Sequence, residues 1–341
     1  MRKLRVLLLT DESLVPPEHY QGEDYTSEPW KTEYDVLLAL RELGHEVTPL
    51  GIVRNLEAVE QAYRQWKPDI AFNLLEDVYG VIPYDHNMVA FLELLGLAYT
   101  GCNPLGLLLS RDKALTKKLL TYHRLRVPNF IVCRRNRKVR RPKRLGFPLI
   151  VKSLIEDAST GISQRSVVYD DASLTDRVTF VHEKLQSDAI VEQFIHGREF
   201  YIGILGNHRL DVFPPWELVI EQRPEGMPLL ATHKVKWELA YQKKLKVKTQ
   251  LAEDLPDGVR SRITQISRRA YHVLNLSGYA RLDFRLAEDG TPYCLEANAN
   301  PQLAFGEDFA ESAEHAGLPY KRLIRRILNL GLRWKQAHDV L

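Results

Sequence analysis

Cysteine is scarce in this sequence, at 3 of 341 residues. Cys102, Cys133 and Cys294 are far apart and odd in number, which argues against a disulfide frame or a paired-cysteine zinc site and predicts reduced, mostly buried thiols. Long apolar runs are missing. After Met1-Arg2-Lys3-Leu4-Arg5 the run Val6 to Leu9 is too short for a signal-peptide core or a membrane span. It predicts a buried first strand in a cytoplasmic protein with no membrane partner. Net charge is small too: Lys plus Arg number 47 against 44 for Asp plus Glu, leaving +3 and no global pull toward nucleic acid. The 11 histidines show no metal-ligand spacing, there is no repeat or low-complexity tract, and Ser110 lacks a nucleophile-elbow context.

What is present is ordinary globular material, 45% hydrophobic and long enough for two or three domains. The first third alternates strand and helix: strands at 5–10, 45–50 and 70–74, helices at 32–43 and 56–66. A βαβαβ order predicts a parallel sheet, with ligand loops at its carboxyl ends near Asp11-Glu12 and Glu76-Asp77. Helices follow at 89–95 and 114–122, a strand at 145–152, and a polar loop from Glu156 to Gly161. Strands at 190–194 and 199–205 flank His196-Gly197-Arg198. The proline-containing stretch 213–248 predicts a long loop with some strand. A helix at 259–274, strands at 281–286 and 293–297, and a basic helix at 320–334 complete the chain.

The most informative segment runs from Arg281 to Asn298. Asp289-Gly290 between two alternating runs predicts a two-residue hairpin. Counting back places Asp283 opposite Glu296 and Arg281 opposite Asn298. Opposed residues share a face with Cβ atoms roughly 4.5–5.5 Å apart, so two carboxylates there repel. A divalent cation between them removes the conflict, and Mg²⁺ prefers oxygen ligands shared with phosphates. Leu282, Phe284, Cys294 and Leu295 make the opposite face apolar and fix the register; a bulge at Pro292 would shift it. The alternative is an exposed strand face with scattered charge.

Other elements suit a nucleotide. Lys113 begins a helix and Lys152 ends a strand, both compact cations suited to phosphate. Backbone N–H groups of the 156–161 loop could cover phosphates, although alone it reads as a surface loop. Val191-Glu192-Gln193-Phe194-Ile195 before Gly197-Arg198-Glu199 sets a charged edge beside an apolar patch, either an adenine slot or a plain strand–turn–strand.

In order and spacing, Asp112-Lys113, Pro148 through Lys152, Glu156 through Ser163, Val191-Glu192 with Gly197-Arg198-Glu199, and Arg281 through Phe284 with Leu295 through Asn298 resemble the ATP-grasp superfamily, specifically the D-alanine–D-alanine ligases. The likeness spans about residues 73–303. It implies a mixed α/β and α+β architecture: an N-terminal parallel-sheet domain at 1–112, a central ATP-grasp lobe at 113–197 and a C-terminal lobe at 198–341. It implies that Lys113 and Lys152 hold the α- and β-phosphates, that the loop at Ser159 closes over the triphosphate, and that Glu192 with the backbone near Gln193 and Ile195 reads adenine. Glu199 would bind ribose. Lys236, with Lys234 as the alternative, would reach the γ-phosphate. Asp283, Glu296 and Asn298 would hold two Mg²⁺, with Mn²⁺ as a substitute, and Arg281 would steady the transferring phosphoryl group. Arg281, Lys236 and Ser159 are the expected catalytic set. The implied reaction activates a carboxylate as an acylphosphate for attack by an amine, on small-molecule substrates. Homodimers are common in the family.

The substrate positions depart from the family. Thr10-Asp11-Glu12-Ser13-Leu14 replaces a glycine-rich opening, Ala158 stands at a serine position, and Trp237 at a tyrosine position. Pro301 through Glu307 replaces a stretch leading to a carboxylate-binding serine. Glu307 would repel a carboxylate, so ligase chemistry without D-Ala-D-Ala synthesis is expected, with a positive acceptor group near Glu307-Asp308. The basic run 134–144 could dock an acidic peptide or carrier tail, and reads equally as a solvated connection. It lacks interleaved aromatics, which argues against nucleic acid. The competing readings are a ligase that modifies a protein or carrier tail, and a non-catalytic ATP-binding protein.

Overall fold

A computed structural model describes residues 2–334 apart from 21, 23, 54, 55, 157 and 158. Its first part is β1 (Arg5–Asp11), α1 (Lys31–Glu42), β2 (Glu46–Ile52), α2 (Glu57–Trp66) and β3 (Ile70–Asn73). The strands pair in parallel in the order β2-β1-β3, as the alternation predicts. Val6 and Leu8 face the core that contains Val36, Leu37 and Leu40 of α1, and Leu7 and Leu9 face the core that contains Val59 of α2. Burial on both faces is why this strand reads as an unbroken apolar run. α3 (Asp85–Leu94) follows, then α4 (Pro104–Arg111), which the apolar spacing does not announce. Its signal is local: Asn103 accepts the Gly106 N–H at 3.0 Å with Pro104 at the first position. α5 (Lys113–Tyr122) is capped by Asp112, which accepts the Ala114 and Leu115 N–H groups at 2.9 Å.

The second sheet takes β4 (Phe130–Cys133), β5 (Leu149–Ser153), β6 (Val167–Val168) and, after α6 (Asp171–Lys184), β7 (Ala189–Gln193). The order is β4-β7-β5-β6, all antiparallel. β5 starts at Leu149 and not at Leu145, whose carbonyl accepts from Arg141 at 2.8 Å in the preceding turn. In the basic run, Arg141 also pairs with Asp171 at 2.7 Å and lies over the Phe147 ring, and the Arg135 amide donates to Asp188. These contacts favour a connection over a free docking surface.

The third sheet contains β8 (Arg198–Leu205), β9 (Asp211–Val212), β10 (Trp216–Ile220), β11 (Val247–Leu251), β12 (Tyr279–Leu286) and β13 (Pro292–Asn298). Its order is β11-β10-β8-β12-β13, with β9 beside β8. Between β10 and β11 lie α7 (His233–Trp237) and α8 (Leu239–Leu245), so the expected long loop is largely ordered. Thr232 caps α7 by accepting the Val235 N–H at 3.2 Å. α9 (Val259–Val273), α10 (Asp308–His315) and α11 (Tyr320–Arg333) complete the helices. The basic α11 is amphipathic: Leu323, Ile324, Ile327 and Leu328 enter the core shared with α1 and β3. Gly331 permits this approach, since a Cβ there would lie 2.3 Å from the Tyr99 carbonyl oxygen. All three cysteines are free and buried. Among the described residues no helix is long and apolar enough to cross a membrane.

Candidate active site

β12 and β13 pair with Asp283 opposite Glu296 and Arg281 opposite Asn298, the predicted register. The route to it differs. Ala287 N–H donates to the Thr291 carbonyl at 2.9 Å, so Glu288, Asp289 and Gly290 form a three-residue turn instead of the two-residue one. Gly290 takes the left-handed conformation (φ 75°) that such a turn needs. The one-residue offset is undone by a bulge, with Leu295 as the extra residue, where the pairing shifts between Asp283 and Phe284. The bulge is therefore at Leu295 and not at Pro292. Leu295 leaves the apolar face expected for it and lines the cleft. Its carbonyl accepts from the buried Lys117 ammonium.

The carboxylate pair is not the bare conflict that counting suggests. Arg281 donates to both Asp283 oxygens at 2.8 and 3.0 Å. Burial pushes Asp283 up, Arg281 pulls it down and Glu296 pushes it up again, leaving it at about 6. Burial would also raise Glu296, but Lys113, Lys152, Lys236 and Arg281 outweigh it and hold the carboxyl at about 2. The protein's own cations thus make the pair tolerable, and a metal is not required for that. The donor chemistry still fits Mg²⁺. Two carboxylates and the Asn298 amide oxygen, which accepts the Asn300 N–H at 2.9 Å, are hard oxygen donors on one hairpin. Among the described residues no three His, Cys, Asp or Glu side chains gather into a metal cluster, so the remaining ligands of such an ion would be phosphate and water.

The cleft in front of the hairpin encloses about 720 Å³ including its open mouth. Lys113, Lys152, Ser159, Glu192, Gln193, Ile195, Glu199, Lys236, Asp283 and Glu296 all line it, while Arg281 and Asn298, the next pair on the same face of the two strands, do not. Lys113 donates to the Glu156 carbonyl at 2.6 Å, tying α5 to the loop. Glu192 is 1% exposed and sits 3.3 Å from each of Lys117 and Lys152. Burial would raise its carboxyl, and the two ammonium groups hold it below its ordinary range. Gln193 and Phe194 spend their N–H groups on the Asn129 and Pro148 carbonyls at 2.8 and 3.0 Å. Ser159 has φ 61° and donates to the Ala231 carbonyl at 2.6 Å, which closes the loop onto the segment before α7. Asp157 and Ala158 lie outside the described residues. Lys236 faces the cleft, whereas Lys234 pairs with Glu238 at 3.8 Å on the surface.

Three elements of the site escaped the sequence reading. Lys117 lies four residues after Lys113 on α5, the spacing that shares a helix face. Arg285 follows Arg281 and Asp283 at the period of two that shares a strand face. Both spacings were readable. The wall formed by Leu230 and Ala231 carried no local signal.

A model of the D-ala D-ala ligase C-terminus matches residues 119–329. An uncharacterised protein, y4sG, of Sinorhizobium fredii is 30% identical over 99% of this chain and 100% of its own length. A D-alanine–D-alanine ligase of Bordetella petrii is 33% identical over 76% of this chain and 75% of its own. The crystal structure of the D-alanine–D-alanine ligase from Bacillus anthracis complexed with ATP superposes with a TM-score of 0.74 at 24% identity, covering 97% of this chain and 98% of that one. The chain belongs to the D-alanine–D-alanine ligase family and has its ATP-grasp fold.

Proposed function

We propose that this protein is an ATP-dependent carboxylate–amine ligase that works through an acylphosphate, on an amino acid or small peptide other than the D-Ala-D-Ala pair. The observation that carries the reading is the convergence of Lys113, Lys152 and Lys236 with Asp283 and Glu296 on one cleft. A carboxylate is a poor electrophile, and phosphorylation gives it a leaving group. Phosphoryl transfer depends mainly on positioning and on neutralising charge. The lysines would hold the triphosphate, and Arg281, steadied by Asp283, would face the group in transfer. Asp283, Glu296 and Asn298 would hold Mg²⁺, which would supply neutralisation of phosphate charge. The loop closed by Ser159 would exclude water from the acylphosphate.

The acceptor side supports a substrate bearing positive charge. Asn300 donates to the Leu75 carbonyl at 3.0 Å and the Phe305 amide to Asp35 at 2.9 Å, so the segment after the hairpin lies on the carboxyl edge of the first sheet. Glu33, Asp35, Glu307 and Asp308 meet there, with Lys31 as a counter-charge on Asp35. The test is ADP release with pairs of amino acids, including D-alanine alone and pairs with a basic member. Turnover with a basic partner is expected; efficient D-Ala-D-Ala formation would overturn the substrate reading.

A further inference from the structure

Arg285 is 3% exposed at the cleft wall, and neither phosphate nor metal chemistry accounts for it. Its Nε and Nη2 donate to one Glu199 oxygen at 3.2 and 2.7 Å. Its Nη1 donates to the Ile195 carbonyl at 2.8 Å, and Nη2 also donates to the Leu229 carbonyl. The guanidinium lies 4.7 Å from the centre of the Phe194 ring. The second Glu199 oxygen accepts from the Tyr201 hydroxyl at 3.2 Å.

These partners come from three separate segments. Ile195 lies in the turn between β7 and β8, Glu199 on β8, and Leu229 on the connection from β10 to α7. They are the turn that joins the second sheet to the third, a strand of the third sheet, and the segment on which Ser159 closes. A buried cation is costly unless it is paired and its donors are satisfied, and this one meets both conditions. Its planar fork spans a carboxylate and two carbonyls at once, which a point charge cannot do. The triphosphate end is served by other cations, Lys113, Lys152, Lys236 and Arg281.

We propose that Arg285 is a positioning residue for the nucleoside half of the nucleotide: it locks Ile195, Glu199 and Leu229 into one preformed wall against which base and ribose pack. This rests on the reading of the cleft as a nucleotide site. Arg285 acts through the groups it holds, so its removal loosens the wall for adenosine and leaves the triphosphate end intact.

The experiment is calorimetric titration of the full chain with ADP and, separately, with inorganic tripolyphosphate, both with Mg²⁺. It compares the wild type with Arg285→Met and Arg285→Lys. Loss of a charge-assisted hydrogen-bond set predicts about tenfold weaker ADP binding in Arg285→Met. Tripolyphosphate binding should stay within about twofold of wild type, a difference of under half a kcal/mol. Arg285→Lys keeps the charge opposite Glu199 and preserves the fold, and should bind ADP with intermediate affinity. ADP binding unchanged in both variants, or equal losses for ADP and tripolyphosphate, would overturn the inference alone. A wild-type chain that binds neither ligand would overturn the nucleotide reading and this inference with it.

Discussion

The hairpin cleft and the acidic cluster on the carboxyl edge of the first sheet treat the same residue type in opposite ways. In the cleft Glu296 is buried yet held at about 2 by Lys113, Lys152, Lys236 and Arg281. At the acidic cluster burial pushes Glu33 to about 7, and Glu76, Asp11 and Asp35 push in the same direction. Glu307 is raised there too, by burial and by Asp308, with Lys31 opposing. Burial disfavours the ion at both places, so the neighbours decide the sign. In the proposed function the surplus of cations would suit the cleft to a polyanion, and the surplus of carboxylates would suit the acidic cluster to a positive group. The family's motifs lie at the cleft; of the departures from them, Ala158 and Trp237 are beside it in sequence, and Thr10–Leu14 and Pro301–Glu307 belong to the acidic side.

The contrast breaks most sharply at Glu296. Glu296→Gln keeps its shape and removes its charge, and ADP formation should drop by about 100- to 1000-fold. A variant within a few-fold of wild type would contradict the role given to the hairpin. Lys117 comes next, because it holds the Leu295 carbonyl at the bulge that turns Glu296 toward Asp283. Lys117→Met should raise the Mg²⁺ concentration for half-activity by about 10- to 100-fold, the usual cost of losing a group that orients a metal ligand. An unchanged metal requirement would leave Lys117 only its pairing with Glu192.

Glu33 sharpens the acidic side of the comparison. In the fold it keeps its proton up to about pH 7, whereas an unfolded glutamate loses it near 4.5. Between those values the folded state binds more protons, so stability falls as pH rises through that window. Glu33→Gln removes the effect. It should be the more stable protein at pH 8, by about 1–3 kcal/mol, and equal to wild type near pH 4.5. Parallel melting curves at the two pH values would remove Glu33 from the explanation. The smallest effect is expected at Glu307, which is exposed: Glu307→Gln should lower kcat/KM several-fold for acceptors with an extra positive charge and spare neutral ones. Equal losses for both would argue against a charge-reading acceptor side.

Much of the fold was legible because its signals are local. The run at β1, the Gly44 stop after α1 and the alternation in β12 each act within a few residues. The helices α4, α6 and α10 were not read, and for α4 and α6 the signal lay in a cap, Asn103-Pro104 and Asp170, more than in apolar spacing. The hairpin gave the right partners for a partly wrong reason: the longer turn and the Leu295 bulge shift the register in opposite senses and cancel. Pairs such as Arg285 with Glu199, or Lys117 with Leu295, join residues 86 and 178 positions apart. No local pattern encodes contacts at that distance. Opposed carboxylates alone do not describe the pair's electrostatics, since Asp283 has a guanidinium partner two residues away on its own strand.

On the proposed function the cleft binds a nucleotide through the lysines and a magnesium ion held at the hairpin. The decisive experiment is calorimetric titration of ADP into the wild-type chain and into Asp283→Asn/Glu296→Gln, each with Mg²⁺ and with EDTA. Tight uptake is predicted only for the wild type with Mg²⁺. Equal affinity in all four titrations, or no uptake in any, would contradict it.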